Sequence, residues 1–131
     1  MTQLPKHGAV LFGKDLPGLA QFYRQVAGLQ VTVQQARLIV MESATYQLVL
    51  HAVPAEVAKR LEITRPPALR QDLPVKLVFP VASLAAARQQ AEQCGGGLGT
   101  PAQEWEARNF RACDGFDPEG NVVQLREAAG E

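Results

Sequence analysis

The chain has 131 residues and a mass of 14.2 kDa, which fits one ordinary domain. Thirteen Lys and Arg residues balance thirteen Asp and Glu residues, so the chain lacks the positive charge of proteins that bind nucleic acids or membranes through basic patches. No apolar run approaches the roughly 20 residues that span a bilayer, and residues 1–6 lack the apolar segment of a secretory signal. Cys94 and Cys113 form no zinc or disulfide pattern, so we expect a reduced, cytoplasmic protein.

The first half of the chain predicts a strand, a helix and three further strands. The apolar run at residues 8–12 has the length of a buried strand. Asp15 can cap a helix with Pro17 in its first turn, and Gly28 follows as a stop signal. Apolar and β-branched residues then predict strands over residues 29–34, 37–42 and 45–53.

Residues 54–74 interrupt this order and predict a connector between two halves. Its first residues have the spacing of a short helix, which the Pro66-Pro67 pair ends. The second half begins with a strand and a helix that Ser83 caps. The strands predicted in this half cover residues 75–81, the vicinity of Leu98, and residues 110–113 and 121–127.

The two halves are related by a shift of about 68 residues, which places Gly8 on Lys76 and Val10 on Val78. Each half alone has too little sheet to bury its helix, so the halves are expected to pair. We predict one α+β domain over residues 1–131, in which βαβββ units at 7–53 and 75–127 form a curved mixed sheet with the helices outside. The alternative is chance similarity between two short strand–helix segments.

Three segments resemble a known superfamily. They are residues 10–29, with Phe22-Tyr23 and Gly28-Leu29, residues 76–81, and the closing run from Asp117 to Leu125, which begins Asp-Pro-Glu-Gly-Asn. In these segments the chain is similar to the vicinal oxygen chelate superfamily, which includes glyoxalase I, bleomycin-resistance proteins, fosfomycin-resistance proteins and extradiol dioxygenases. The resemblance covers residues 7–127. It implies two βαβββ units that face each other around a U-shaped cavity.

The resemblance also implies where a divalent metal would be held, by one residue from the first and last strand of each unit. The matching positions are Gly8, Gln47, Lys76 and Gln124. Glycine offers no ligand atom, a lysine ammonium has no free lone pair, and a glutamine oxygen is a weak neutral donor. We therefore expect no cofactor. A metal would instead require His51, or His7 turned inward by a strand bulge.

Strand alternation indicates which side chains face the cavity. Gln47 and His51 share one face, as do Gln124 and Arg126 on the last strand. The residues of opposite parity are uniformly apolar, which supports this register: Leu48, Leu50, Leu77, Phe79, Val123 and Leu125. No catalytic residue is assigned; the predicted ligand-binding residues are Phe12, Gln47, His51, Lys76, Trp105, Gln124 and Arg126.

Two of these residues have alternative interpretations. A buried ammonium at Lys76 needs either an anionic ligand or an internal carboxylate, for which Glu42, Glu104 and Glu119 are candidates. Trp105 either anchors its polar loop in the core or forms a flat aromatic wall over a ligand.

Three functions remain open at this point. The first is a binding protein of the bleomycin-resistance type that holds a small anionic or aromatic molecule without a metal. The second is an enzyme, a glyoxalase I-type lyase or isomerase or a dioxygenase relative, that uses a metal or Lys76 as a base. The third is a purely structural module. We predict a homodimer in which residues 29–33 supply an apolar edge, with no nucleic-acid or membrane partner.

Overall fold

A computed structural model describes residues 3–130 of the chain as two sheets, each with one long helix on one face. Met1, Thr2 and Glu131, which the predicted domain includes, lie outside the described residues. In chain order the elements are β1 (His7–Gly13), α1 (Leu16–Gln25), β2 (Gln30–Gln35), β3 (Leu38–Glu42), β4 (Tyr46–Ala52), α2 (Ala55–Arg60), β5 (Leu77–Val81), α3 (Leu84–Gln93), β6 (Gly97–Leu98), β7 (Trp105–Glu106), β8 (Phe110–Phe116) and β9 (Val122–Ala128).

The strand order confirms the predicted mixed α+β fold. The first sheet has the order β1-β4-β3-β2 and the second β5-β9-β8-β6, with β7 paired to β8. In each sheet the first strand pairs in parallel with the last strand of the unit, and the other pairs are antiparallel. The curved sheet is divided in two, since β1 and β5 do not pair. An apolar groove of about 340 Å³, lined by residues of both strands and of the connector, lies between them.

The local start and stop signals act as the sequence predicts. The Asp15 carboxylate accepts a hydrogen bond from the Gly18 N–H at the start of α1, and the Ser83 hydroxyl does the same for Ala86 at the start of α3. Gly28 ends the first helix with a φ of +74°, in the left-handed region that glycine adopts without strain.

The core lies between the helices and the sheet faces they cover. Phe22 on α1 and Leu84 on α3 are 1% and 2% exposed. Burying a side chain of this size stabilises the fold by about 1.5–3 kcal/mol. The predicted register is confirmed, because the residues of helix-facing parity are buried or half-buried: Leu48, Leu50, Leu77, Phe79, Val123 and Leu125. Among residues 3–130, no helix combines the length and apolar character needed to cross a bilayer.

The Asp-Pro-Glu-Gly-Asn turn joins the second unit to the first. The Tyr23 hydroxyl on α1 donates to Asp117 Oδ2 at 2.7 Å. The Glu119 carboxylate accepts from the backbone N–H groups of Lys14 and Asp15 at 2.7–2.9 Å. Burial raises the pKa of Asp117 and, together with the nearby Asp117 charge, raises the pKa of Tyr23 well above its ordinary value. The turn therefore fixes how the two units pack.

Candidate functional site

A cavity of about 630 Å³ lies between the exposed face of the second sheet and the end of the connector. Small-molecule sites have volumes of about 300–1,000 Å³. Its apolar wall consists of Leu69, Leu73, Val75, Leu98, Phe116 and Val122, and its polar lining includes Arg70, Lys76, Thr100, Gln103 and Asp114. This composition is typical of a site that binds a largely apolar molecule and orients it through a few polar groups.

The closing turn of the second unit also holds the connector over this cavity. The Arg70 N–H donates to the Gly120 carbonyl at 2.8 Å, and Arg70 Nε donates to the Glu119 carbonyl at 3.3 Å. Gly120 has a φ of +85°, and a Cβ there would lie 2.0 Å from the carbonyl oxygen of Ala68. A glycine is therefore required where connector and turn approach each other.

Lys76 forms an ion pair inside the cavity lining. Its Nζ donates to Asp114 Oδ2 at 2.7 Å, and the two side chains are 43% and 39% exposed. Such a half-exposed pair contributes little to stability, about 0–1 kcal/mol. It does, however, hold both charged groups at the cavity wall.

Lys76 does have an internal carboxylate partner, as one of the two interpretations expected, but the three candidates for that partner are wrong because each is engaged elsewhere. Glu42 pairs with Lys6 at 3.2 Å, and Glu104 pairs with two arginines. Glu119 binds backbone N–H groups at the junction of the units. The sequence reasoning missed Asp114 because the predicted strand ended at residue 113, whereas β8 continues to Phe116.

Trp105 stands at the cavity wall and is 41% exposed, so its interpretation as a core anchor is wrong. It lies on β7 opposite Ala112 of β8. The neighbouring Glu104 fixes this segment, because its carboxylate accepts from Arg111 Nε at 2.7 Å and from Arg88. Hydrogen bonds from Arg111, which has the larger effect, and from Arg88 lower the pKa of Glu104. The indole is therefore presented to the cavity by an anchored segment.

Gln124 and Arg126 lie beside the cavity rather than in its lining. Arg126 Nε donates to Gln124 Oε1 at 2.7 Å, and the guanidinium lies 4.2 Å from the centre of the Phe110 ring. The Gln124 oxygen thus accepts from Arg126, whereas the Lys76 ammonium donates to Asp114. Gln124 lies opposite Val78 in the strand register, and Val78 is two residues after Lys76 in the chain.

Phe12, Gln47 and His51 lie on the first sheet, outside the cavity lining. Phe12 and His51 are opposite each other in the register, with ring centres 5.4 Å apart. His51 Nδ1 lies 2.9 Å from the carbonyl oxygen of Ala52. Gln47 is opposite Glu42. Of the seven predicted ligand-binding residues, the structure thus brings only Lys76 and Trp105 together in this cavity.

The residues at the metal positions of the superfamily do not fit a metal. At Gly8, any Cβ would lie 2.1 Å from the backbone oxygen of Gln47, so no ligand side chain fits there without a backbone shift. The β1–β4 register is unbroken from His7 onward, so no bulge turns His7 toward the face of Gly8. Lys76 is paired with Asp114 and therefore faces a carboxylate rather than an open metal position. Within residues 3–130, no group of three or more His, Cys, Asp or Glu side chains is arranged to hold a metal ion.

Comparison with known proteins places the chain in a family. A sequence model described as glyoxalase-like domain matches residues 9–126. No curated protein matches the chain.

Three solved structures show the same fold at low sequence identity. A glyoxalase/bleomycin resistance protein/dioxygenase family enzyme from Burkholderia phytofirmans PsJN has a TM-score of 0.66 and 19% identity, over 93% of this chain and 97% of that one. The fosfomycin resistance protein FosX from Listeria monocytogenes, as a point variant with Mn(II) and 1S,2S-dihydroxypropylphosphonic acid, has a TM-score of 0.65 and 12% identity, over 98% and 93%. A glyoxalase-related enzyme from Fulvimarina pelagi has a TM-score of 0.65 and 17% identity, over 97% and 88%. With the match to residues 9–126, the chain belongs to the glyoxalase-like domain family.

Proposed function

We propose that this protein binds a small aromatic molecule in the cavity of its second unit. The observation that carries the proposal is the half-exposed Trp105 at the wall of a cavity of about 630 Å³. An exposed indole beside an apolar wall offers a ring a flat stacking surface, and aromatic pairs contribute about 0.5–1.5 kcal/mol beyond the area they bury. Arg70 and Lys76 in the lining allow the bound molecule to carry an acidic group.

Binding is proposed to take place without a metal. Two features support this: the close backbone approach at Gly8, which leaves no room for a ligand side chain, and the engagement of Lys76 and Gln124 with protein partners. Trp105 and the ion pair would instead hold the molecule directly.

The alternative is a metal-dependent lyase or isomerase of the glyoxalase type. It is favoured by the Mn(II) in the FosX structure, which has the same fold at 12% identity. The experiment that separates the two is elemental analysis of the purified protein before and after chelation. We expect only a substoichiometric amount of divalent metal, and a stoichiometric ion removed by chelator would favour the enzyme.

The binding proposal is tested by a thermal-shift screen of small aromatic acids, phenols and neutral aromatics, with and without divalent metals. Because Trp105 is the one tryptophan of the chain, its fluorescence reports directly on the cavity. We expect hits that raise the melting temperature equally with and without metal and that change this fluorescence. Hits that require the metal, or leave the indole unaffected, would contradict the proposal.

We also propose a homodimer that forms through the first sheet. β2 is an edge strand, and all six of its residues are exposed. Val31 and Val33 are each 39% exposed, which leaves apolar surface on an unpaired strand edge. Leu29, which the sequence assigned to this edge, is 3% exposed and lies in the core. Sedimentation velocity at micromolar concentration should show a dimer that Val31→Lys weakens, whereas a monomer at all concentrations would contradict the assembly.

We also propose that the protein is located in the cytoplasm. Cys94 and Cys113 are both unpaired and buried, as expected in a reducing compartment. Cell fractionation tests it, and recovery of the protein outside the cytoplasm would contradict it.

A further inference from the structure

Asp114 has hydrogen-bond acceptor capacity that the protein does not use. Its carboxylate offers about four acceptor positions. Within residues 3–130, the one donor bonded to it is Lys76 Nζ, at Oδ2, and Oδ1 is buried without a partner. Native structures seldom leave a buried acceptor unsatisfied, because its desolvation is then uncompensated. The carboxylate is therefore short of one donor.

A molecule in the cavity can supply that donor. Asp114 belongs to the cavity lining, and its side chain is 39% exposed. Oδ1 itself is shielded, so the part of the carboxylate that a ligand can reach is Oδ2, whose acceptor positions are not all used by Lys76. A donor that enters from the cavity can thus bond Oδ2 beside Lys76.

The charges of the lining decide which kind of donor fits. Arg70 and Lys76 are cations, and Asp114 is the one carboxylate among the lining residues. A cationic donor would meet two fixed positive charges at close range, where the repulsion is only partly screened. An aromatic carboxylate satisfies the cations but brings no proton for Asp114. A neutral hydroxyl satisfies the carboxylate and adds no positive charge.

We propose that Asp114 selects ligands with a neutral aromatic hydroxyl, which donates to its carboxylate while the ring lies against Trp105. This inference rests on the proposed function, since it names the ligand class of the same cavity. Hydrogen bonds from a hydroxyl to a carboxylate are short and about twice as strong as those between neutral groups.

The test uses naphthalenes that differ in one group. 2-Naphthol carries the hydroxyl, 2-methoxynaphthalene replaces its proton with a methyl group, and 2-naphthylmethylamine carries a cation. Ligand-observed NMR titrations at pH 7, where a phenol is neutral, give the three dissociation constants. We expect 2-naphthol to bind about ten- to a hundredfold more tightly than either of the other two. Nuclear Overhauser contacts between its ring protons and the Trp105 indole should locate it in the cavity.

Two variants assign the preference to Asp114. Asp114→Asn has nearly the same shape but removes the negative charge and keeps only a weaker amide acceptor, so the preference for naphthol over its methyl ether should become clearly smaller. Glu56→Gln removes a carboxylate that is 84% exposed on α2, outside the cavity lining, and should leave the preference intact. Thermal unfolding confirms that each variant is folded. If a variant fails to fold, the comparison of 2-naphthol with 2-methoxynaphthalene in the unaltered protein still tests the proposal.

The possible failures are distinguishable. Equal affinities for 2-naphthol and 2-methoxynaphthalene, with contacts to Trp105, would overturn the hydroxyl selection and leave the proposed function standing. The tightest binding by the amine would overturn the choice of a neutral donor. A naphthol preference of unchanged size in Asp114→Asn would overturn the role of Asp114. Absence of any contact between the three naphthalenes and Trp105 would overturn the selection together with aromatic binding itself.

Discussion

The hydrogen bond between Tyr23 and Asp117 should contribute measurably to stability, because it joins the two units across the core. The Tyr23 side chain and the Asp117 carboxylate are both fully buried, and the hydroxyl donates to Oδ2 at 2.7 Å. Tyr23→Phe removes the hydroxyl and nothing else. A buried hydrogen bond to a charged group contributes about 1.5–3 kcal/mol. For a chain of this length, the loss corresponds to a decrease in melting temperature of about 5–12 °C.

The cost of Tyr23→Phe should depend on pH. Burial raises the pKa of Asp117 in the folded state, while the Tyr23 hydroxyl lowers it in part by stabilising the charged form. A carboxyl whose pKa is raised by folding stabilises the protein below its unfolded pKa, and that contribution is lost as pH rises through the folded value. Removing the hydroxyl raises the folded pKa further. The destabilisation should therefore be largest at neutral pH and should fall toward about 1 kcal/mol below pH 3, where Asp117 is protonated.

Urea unfolding of Tyr23→Phe between pH 3 and pH 7 is the assay, with Tyr46→Phe as the matched control. Tyr46 is half-buried, and its hydroxyl makes no hydrogen bond within residues 3–130, so its loss should change the free energy of unfolding by less than about 0.5 kcal/mol. Equal effects of the two substitutions, or a loss at Tyr23 that does not vary with pH, would refute this reasoning.

Three further predictions follow from the same structure. Glu104→Gln should reduce the free energy of unfolding at pH 7 by about 1–2 kcal/mol. Hydrogen bonds from Arg111 and Arg88 lower the pKa of Glu104 in the folded protein. The difference in the free energy of unfolding should therefore be complete at pH values above the ordinary glutamate pKa, and it should be lost as pH falls through the lowered pKa of Glu104. Urea unfolding from pH 2 to 7 measures this difference. Gly120→Ala should cost more than about 2 kcal/mol, because its Cβ meets a connector carbonyl, whereas Gly28→Ala, with open space around its Cβ, should cost about 1–2 kcal/mol in the same assay. Trp105→Ala should weaken 2-naphthol at least about tenfold by NMR titration while changing the melting temperature by less than about 2 °C.

Each of these three predictions has an outcome that contradicts it. An unchanged pH profile in Glu104→Gln would mean that the arginines do not hold the carboxylate in its charged form. Equal costs at Gly28 and Gly120 would mean that connector and turn are not in close contact. Full affinity for 2-naphthol in Trp105→Ala would place the ligand elsewhere.

The architecture was predictable because it depends on local patterns that repeat. The alternation of apolar and polar residues determines which face of each strand is buried, and the two helices carry their own caps at Asp15 and Ser83. The division into two sheets was not predictable in this way. β1, the connector and the start of β5 line one groove, and no local pattern encodes this long-range arrangement.

The candidate site was predicted only in part, because it depends on long-range placement. Lys76 and Trp105 were identified from residue type and position, and both lie in the cavity. Asp114 was missed because Gly115 interrupts the apolar pattern and made the strand appear to end early. Continued alternation from Ala112 through Asp114 to Phe116 would have placed it on the face of Gln124, its register partner.

The most direct test of the central claim is a crystal structure of the chelator-treated protein soaked with 2-naphthol. We predict the ring between Trp105 and the apolar wall of the second-unit cavity, with its hydroxyl at hydrogen-bond distance from Asp114 and no metal in contact with it. A ring bound on the first sheet beside Phe12 and His51, or a divalent ion that must be added before any naphthol is seen, would contradict the account.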